Sequence, residues 1–291
     1  MIHKINNNSI YVSVNTEGAE LCSLCDVHGL EYIWQNTDGS WPGHSPVLFP
    51  IVGAQKDYQY IYDGETYPLP NHGFASVSKF RVAEKRSDYL KLRLKENAET
   101  LKQYPFKFTF DVGFELSNDS LYIRYIVTNN DDKVMPFAVG GHTGYPVPLE
   151  EGEKFEDYRL KFDLVETCQA PYLTRGMTAE AEEFIPVLDN TQYVDLNHEM
   201  FSRGVLVLEN LKSRGVELYS TVSGRGVRVD YEGFDNLALW QNPSGGNYIC
   251  IEPWSSPGTF SDPSGLLEKR KGITLLGAGE TAEFGYKITI I

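Results

Sequence analysis

Polar and apolar positions alternate along most of the chain. "SIYVSVN" (9–15), "LKLRLK" (90–95), "FKFTFDVGFEL" (106–116), "LYIRYIVTN" (121–129), "YRLKFDL" (158–164), "GVRVDY" (226–231) and "AEFGYKITII" (282–291) follow a period near two. That period, with Val, Ile, Tyr, Phe and Thr in all but "LKLRLK", predicts β-strands with one face buried. "LKLRLK" places Leu90, Leu92 and Leu94 on one face and Lys/Arg on the other. Turn chemistry separates the strands: "NNN", "TEG", "SND", "NNDD", "SGRG" and "LGAGE". "SNDS" between two long alternating runs predicts a hairpin. Helical spacing is confined to "ENAETLKQY" (96–104) and the shorter "DLNHEMF" (195–201). Many antiparallel strands with no Pro/Gly/Ser linker between them predict an all-β chain, a large antiparallel β-sandwich forming one domain over residues 1–291.

The 291 residues are 41% hydrophobic, enough for a sizeable core and too apolar for a disordered chain. The formal net charge of −14 disfavours nucleic acid and anionic membrane surfaces as partners, because both are gripped by Lys and Arg. A small neutral ligand is unaffected. "MIHKINNNSIYVSVN" has no apolar signal-like core, and no run of about 18 apolar residues appears. The expectation is a cytoplasmic protein, monomer or homodimer. The four cysteines include a C-x-x-C, Cys22 and Cys25, in "AELCSLCDVHG". Redox use requires that motif at a helix N-terminus; here it lies in a predicted strand running into a turn. Zinc would require a second close pair, and Cys168 and Cys250 are far apart.

Three positions carry candidate chemistry. His72 sits in "YPLPNHGFA" on a predicted turn, flanked by Asn71 and Gly73. Taken alone it reads first as a solvated loop histidine. His142, in "AVGGHTGYPVP", follows two glycines that let backbone or ligand approach closely; its alternative is a hydrogen-bonded histidine closing a strand. Glu252, in "GNYICIEPWSSPG", directly follows the apolar run "YICI". A buried carboxylate is costly unless paired or used, so it is either a partner for a core arginine or a general base. Trp254, Trp240 and Phe74 suit a sugar ring and serve equally as core. One Glu with one or two His fits acid–base chemistry. No G-x-S-x-G elbow, P-loop or H-E-x-x-H appears, and the histidines lack closely spaced companions for a metal. No metal or cofactor is expected.

In order, "GAELCSLCDVHGLEYIWQ", "SPVLFPIVGAQKDYQYIYDGETYPLPNHGFA", "VGGHTGYPVP" and "ICIEPW" resemble the aldose 1-epimerase (galactose mutarotase-like) family, in particular its LacX-like branch. The resemblance implies a β-supersandwich and interconversion of the α and β anomers of a free hexose such as galactose or glucose, without cofactor or metal. It implies that Glu252 is the base on the C1 hydroxyl, His142 the acid on the ring oxygen, and His72 a substrate-binding histidine. Lys56, Asn71 and Trp254 are the further expected substrate contacts. Gln55 and Lys56 stand where the classical galactose mutarotases carry Asn-Arg; Lys keeps the charge and loses the fork. Two alternatives stay open. One is a hexose-6-phosphate mutarotase, whose branch shows Arg after "HGFA" where this chain has Ser76. The other is a carbohydrate-binding protein without turnover.

Overall fold

A computed structural model describes residues 1–173, 179–258 and 264–291; side chains of residues 172–182 are outside the description. The alternating runs are strands, almost all antiparallel. Among the described residues the largest sheet has nine strands. Their spatial order is Ala179–Asp195, Tyr158–Leu173, Gly215–Ser220, Gly226–Asp230, Thr281–Ile290, Ser120–Asn129, Phe108–Ser117, Tyr89–Lys95 and Arg81–Lys85. The expected hairpin forms, with Ser120 opposite Ser117 and Asn129 opposite Phe108. Leu90, Leu92 and Leu94 are buried, while Arg93 on the other face pairs with Asp111 at 2.6 Å.

A six-stranded sheet lies against this one. Leu206–Glu209, Asn236–Trp240, Tyr248–Trp254, Gly140–Gly141 and Val47–Leu48 run in that order, and Thr143–Pro146 also pairs with Tyr248–Trp254. Period two divides its side chains. Leu206, Leu208, Leu237, Leu239, Ile249 and Ile251 join a hydrophobic cluster with Leu92, Phe110, Val112, Ile123, Val216 and Ile288 of the large sheet. That shared cluster is the sandwich core. The opposite face, turned from it, carries Leu48, Val207, Ala238 and Trp254, which pack with Val52 and Ala138.

Helix is scarce. Asn97 caps Ala98–Gln103, its side chain accepting from the backbone N–H of Glu99 and Thr100. "DLNHEMF" closes only a 3-10 turn, His198–Phe201, capped by Asn197; Phe201 is buried and the turn ends before an α-helical ladder can start. The C-x-x-C lies within strand Glu20–Asp26 with both thiols free. Among the described residues no helix is long and apolar enough to cross a membrane.

Candidate active site

Glu252 is in the middle of its strand. The sequence pattern ends the strand at Ile251, but pairing continues through Glu252 opposite Ala238 and Trp254 opposite Asn236. Alternation puts Tyr248, Cys250, Glu252 and Trp254 on the face away from the sandwich core. Glu252 is fully buried, and neither carboxyl oxygen has a hydrogen-bond partner.

His142 lies between Gly140–Gly141 and Thr143–Pro146, both paired to the strand of Glu252. Its backbone N–H donates to the Pro46 carbonyl at 3.1 Å. Its Nε2 stands 3.4 Å from Glu252 Oε2, and its Nδ1 is buried without a partner. Three aromatic rings surround the imidazole: Trp41 stacked at 5.1 Å, Trp240 edge-on at 5.4 Å and His72 edge-on at 5.7 Å. Gly144 makes room for Trp41, because a Cβ there would stand 2.7 Å from its ring.

His72 arrives from the other side of the chain on a strained turn. Both His72 and Gly73 have left-handed backbone, φ 62° and 74°. Glycine is required at 73, since a Cβ would lie 2.3 Å from the Phe49 carbonyl oxygen. The half-buried imidazole is clamped by one residue: its backbone N–H donates to the Gly53 carbonyl at 2.7 Å, and its Nδ1 accepts from the Gly53 N–H at 3.0 Å. An accepting Nδ1 assigns the proton of the neutral ring to Nε2, which is left as a donor. Trp254 lies 5.9 Å away.

Burial sets the electrostatics. It pushes the Glu252 carboxyl well above the usual range, with the nearby Trp254 indole pulling weakly the other way. It lowers His142 to about 4. His72 is held well below its ordinary value by burial first, then by His142 and Arg270. The free site therefore favours a carboxylic acid beside neutral imidazoles, rather than an imidazolium–carboxylate pair.

The other expected residues are distributed differently. Trp254 is buried beneath the site, its indole N–H unpartnered. Asn71 is exposed. Lys56 is exposed on the turn Lys56–Tyr58, and no described contact joins it to either histidine or to Glu252. Gln55 is buried, and Ser76 is half-buried on the short turn Ala75–Val77.

The cation at the site is one the sequence reading passed over. Arg270 is 3% exposed, and its Nη2 donates to the carbonyls of Val52 and, at 3.0 Å, Gly258. Its Nε and Nη1 have no hydrogen-bond partner among the described residues. Burial lowers it to about 10, so it stays charged at neutral pH. Trp41 was passed over as well. The run "LEKRKG" looks solvated and "GSWPG" looks like a surface turn; contacts from distant segments bury Arg270 and half-bury Trp41.

A buried carboxyl facing an imidazole, with a second histidine and an aromatic wall, offers the two kinds of group that acid–base chemistry requires. The description "Aldose 1-epimerase" matches residues 1–260. The chain belongs to the aldose 1-epimerase family. Within the family, it is 35% identical over 299 residues to the plasmid and chromosomal LacX proteins of Lactococcus lactis subsp. lactis, covering 100% of each chain. A galactose mutarotase related enzyme from Lactobacillus acidophilus superposes with TM-score 0.92 at 33% identity, covering 100% of this chain and 97% of that one. A galactose mutarotase-like protein from Lactobacillus casei ATCC 334 gives TM-score 0.92 at 29% identity, covering all of both chains. As an epimerase-family sandwich, the chain fits a small-molecule sugar substrate and isomerase chemistry.

Proposed function

We propose that the protein is a mutarotase that interconverts the anomers of a free hexose such as galactose or glucose. The observation that carries this reading is the buried Glu252–His142 pair, whose carboxyl oxygens and Nδ1 have no hydrogen-bond partner among the described residues. A sugar supplies them. The C1 hydroxyl donates to Glu252, which favours the ionised carboxylate, and the pair's single proton passes to His142. Glu252 then takes the C1 hydroxyl proton while His142 protonates the ring oxygen, and the pyranose opens to the aldehyde. Rotation about C1–C2 presents the other carbonyl face, and the same two groups close the ring in reversed roles. Each contributes on the order of 10²–10⁴ in rate. The reaction needs no cofactor.

His72 donates from Nε2 to the reacting end, and Trp254 supports the ring beside it. Arg270 is a positioning residue: it holds the Val52 carbonyl, one residue before the Gly53 clamp on His72. Lys56 and Asn71 stand in water, so a bond from either to the sugar is worth no more than about 1 kcal/mol.

Arg270 also supports a free sugar over a phosphosugar. Both edges of a guanidinium fork include Nη2, and here Nη2 serves two carbonyls. No intact fork is left for phosphate. The net charge of −14 repels a dianion as well. Kinetics on matched glucose/glucose 6-phosphate and galactose/galactose 6-phosphate pairs test the substrate. A higher kcat/KM for the free sugar is expected, and Ser76→Arg should shift the preference toward phosphosugar. Higher efficiency on the phosphosugar in the wild type would overturn the substrate reading.

A further inference from the structure

Cys250 has no part in the acid–base scheme, yet alternation places it on the face of Glu252, two residues earlier. Its Sγ, an imidazole nitrogen of His142 and a Glu252 oxygen lie within 4.8 Å of one another. Cys250 and Glu252 are buried, and the His142 side chain is 13% exposed. We propose that Cys250, His142 and Glu252 form an inhibitory site for a zinc-like divalent transition-metal ion, which binds in competition with the sugar.

The donor chemistry favours this class of ion. One sulfur, one nitrogen and one oxygen form a mixed set for zinc or cobalt; calcium and magnesium demand oxygen throughout. Zinc bonds to nitrogen and oxygen near 2.0 Å, and at a tetrahedral angle this places the two donors about 3.3 Å apart. His142 Nε2 and Glu252 Oε2 are separated by 3.4 Å. That spacing needs no rearrangement; Cys250 must close by on the order of 1 Å to reach a metal–sulfur distance of about 2.3 Å. Glu252 is also a fully buried carboxyl aimed at His142 with neither oxygen hydrogen-bonded among the described residues, so an ion satisfies atoms that no described residue hydrogen-bonds. Thiolate and carboxylate together neutralise a 2+ charge in a place where net charge is costly. On binding, the Sγ–H bond breaks, its proton leaves to solvent and an Sγ–metal bond forms, with no change in oxidation state. Three protein ligands leave the fourth tetrahedral position open.

Binding stands on this geometry alone; inhibition rests on the acid–base reading of the same site. The test uses the full-length protein stripped with EDTA and titrated with Co²⁺. A thiolate-to-cobalt charge-transfer band is expected in the wild type and absent in Cys250→Ala. Zn²⁺ is expected to slow anomer exchange on the order of a hundredfold, as for loss of a general base, with EDTA restoring it. Cys250→Ala should keep its exchange rate and lose most of its sensitivity to Zn²⁺. Equal Zn²⁺ inhibition of wild type and Cys250→Ala would overturn the proposal, as would absence of the Co²⁺ band in a protein that turns over sugar; the acid–base reading survives either result. A Co²⁺ band in a protein whose exchange rate is unaffected by saturating metal would keep the site, and would reject both its inhibitory role and the acid–base reading.

Discussion

Two buried glutamates in this molecule solve the same physical problem in opposite ways. Glu166, in strand Tyr158–Leu173, is 4% exposed, and its Oε1 accepts from the Lys212 N–H at 2.9 Å, the Ser213 N–H at 2.7 Å and Ser213 Oγ at 2.8 Å. Glu252 is fully buried and accepts no hydrogen bond. Carboxylates with several donors belong to the scaffold: their bonds tie a strand to a loop. An unpartnered carboxyl destabilises the fold, and it persists where a ligand completes it. The contrast is the physical ground on which we propose a chemical role for Glu252 and a structural one for Glu166.

The largest effect that tests this contrast is on stability. Glu166→Ala leaves three donors without their acceptor, two of them buried, and should cost about 3 kcal/mol in denaturant unfolding, while anomer exchange by the folded fraction stays near wild type. Glu252→Gln should be neutral or stabilising in the same unfolding experiment. A large destabilisation by Glu252→Gln would place Glu252 with Glu166 as a scaffold residue.

The next effect is on pH dependence. On the proposed mechanism, activity requires one proton on the Glu252–His142 pair. On the acid side, His142 takes up a second proton only near 4, because burial has lowered it. On the alkaline side, the raised Glu252 carboxyl gives up the shared proton late. The enzymatic rate, corrected for the uncatalysed reaction, should therefore hold as the pH is lowered from neutral and fall on the acid side only near 4. An acid limb near 6.5, the value of a solvated imidazole, would contradict the burial argument.

A smaller effect tests Arg270. Arg270→Lys keeps charge but cannot hold the Val52 and Gly258 carbonyls as the planar group does. We expect KM to rise more than kcat falls, and the His72 imidazole, followed by NMR, to lose its single Nε2–H tautomer. Retention of that tautomer with unchanged KM would remove Arg270 from the site. Least of all should change in Lys56→Ala. An exposed side chain that competes with water should alter kcat/KM by no more than about fivefold, for about 1 kcal/mol, and a larger loss would bring Lys56 into contact with the sugar.

Much of this was legible in the chain. Leu90, Leu92 and Leu94 announce a half-buried strand because side-chain direction alternates with a fixed period. His142 and His72 stand out because glycines beside them mark close approach, and Gly73 does lie against the Phe49 carbonyl. Glu252 stands out because a charge interrupts an apolar run. Arg270 and Trp41 were not legible. Their placement depends on segments far apart in sequence: Arg270 is held by Val52 and Gly258, and Trp41 rests on His142, Trp240 and Tyr248. No local pattern encodes such contacts. The end of the Glu252 strand was missed for a related reason, since pairing with Asn236–Trp240 carries the extended backbone through Pro253.

The central claim is that Glu252 is kept unpartnered for acid–base work on a free sugar. Polarimetry on freshly dissolved α-galactose, comparing wild type with folded Glu252→Gln at equal concentration, tests it most directly. The account predicts that wild type accelerates the relaxation in proportion to enzyme and that Glu252→Gln loses at least about 99% of that acceleration. A variant that relaxes the sugar at the wild-type rate, or a wild type that leaves the spontaneous rate unchanged, would contradict it.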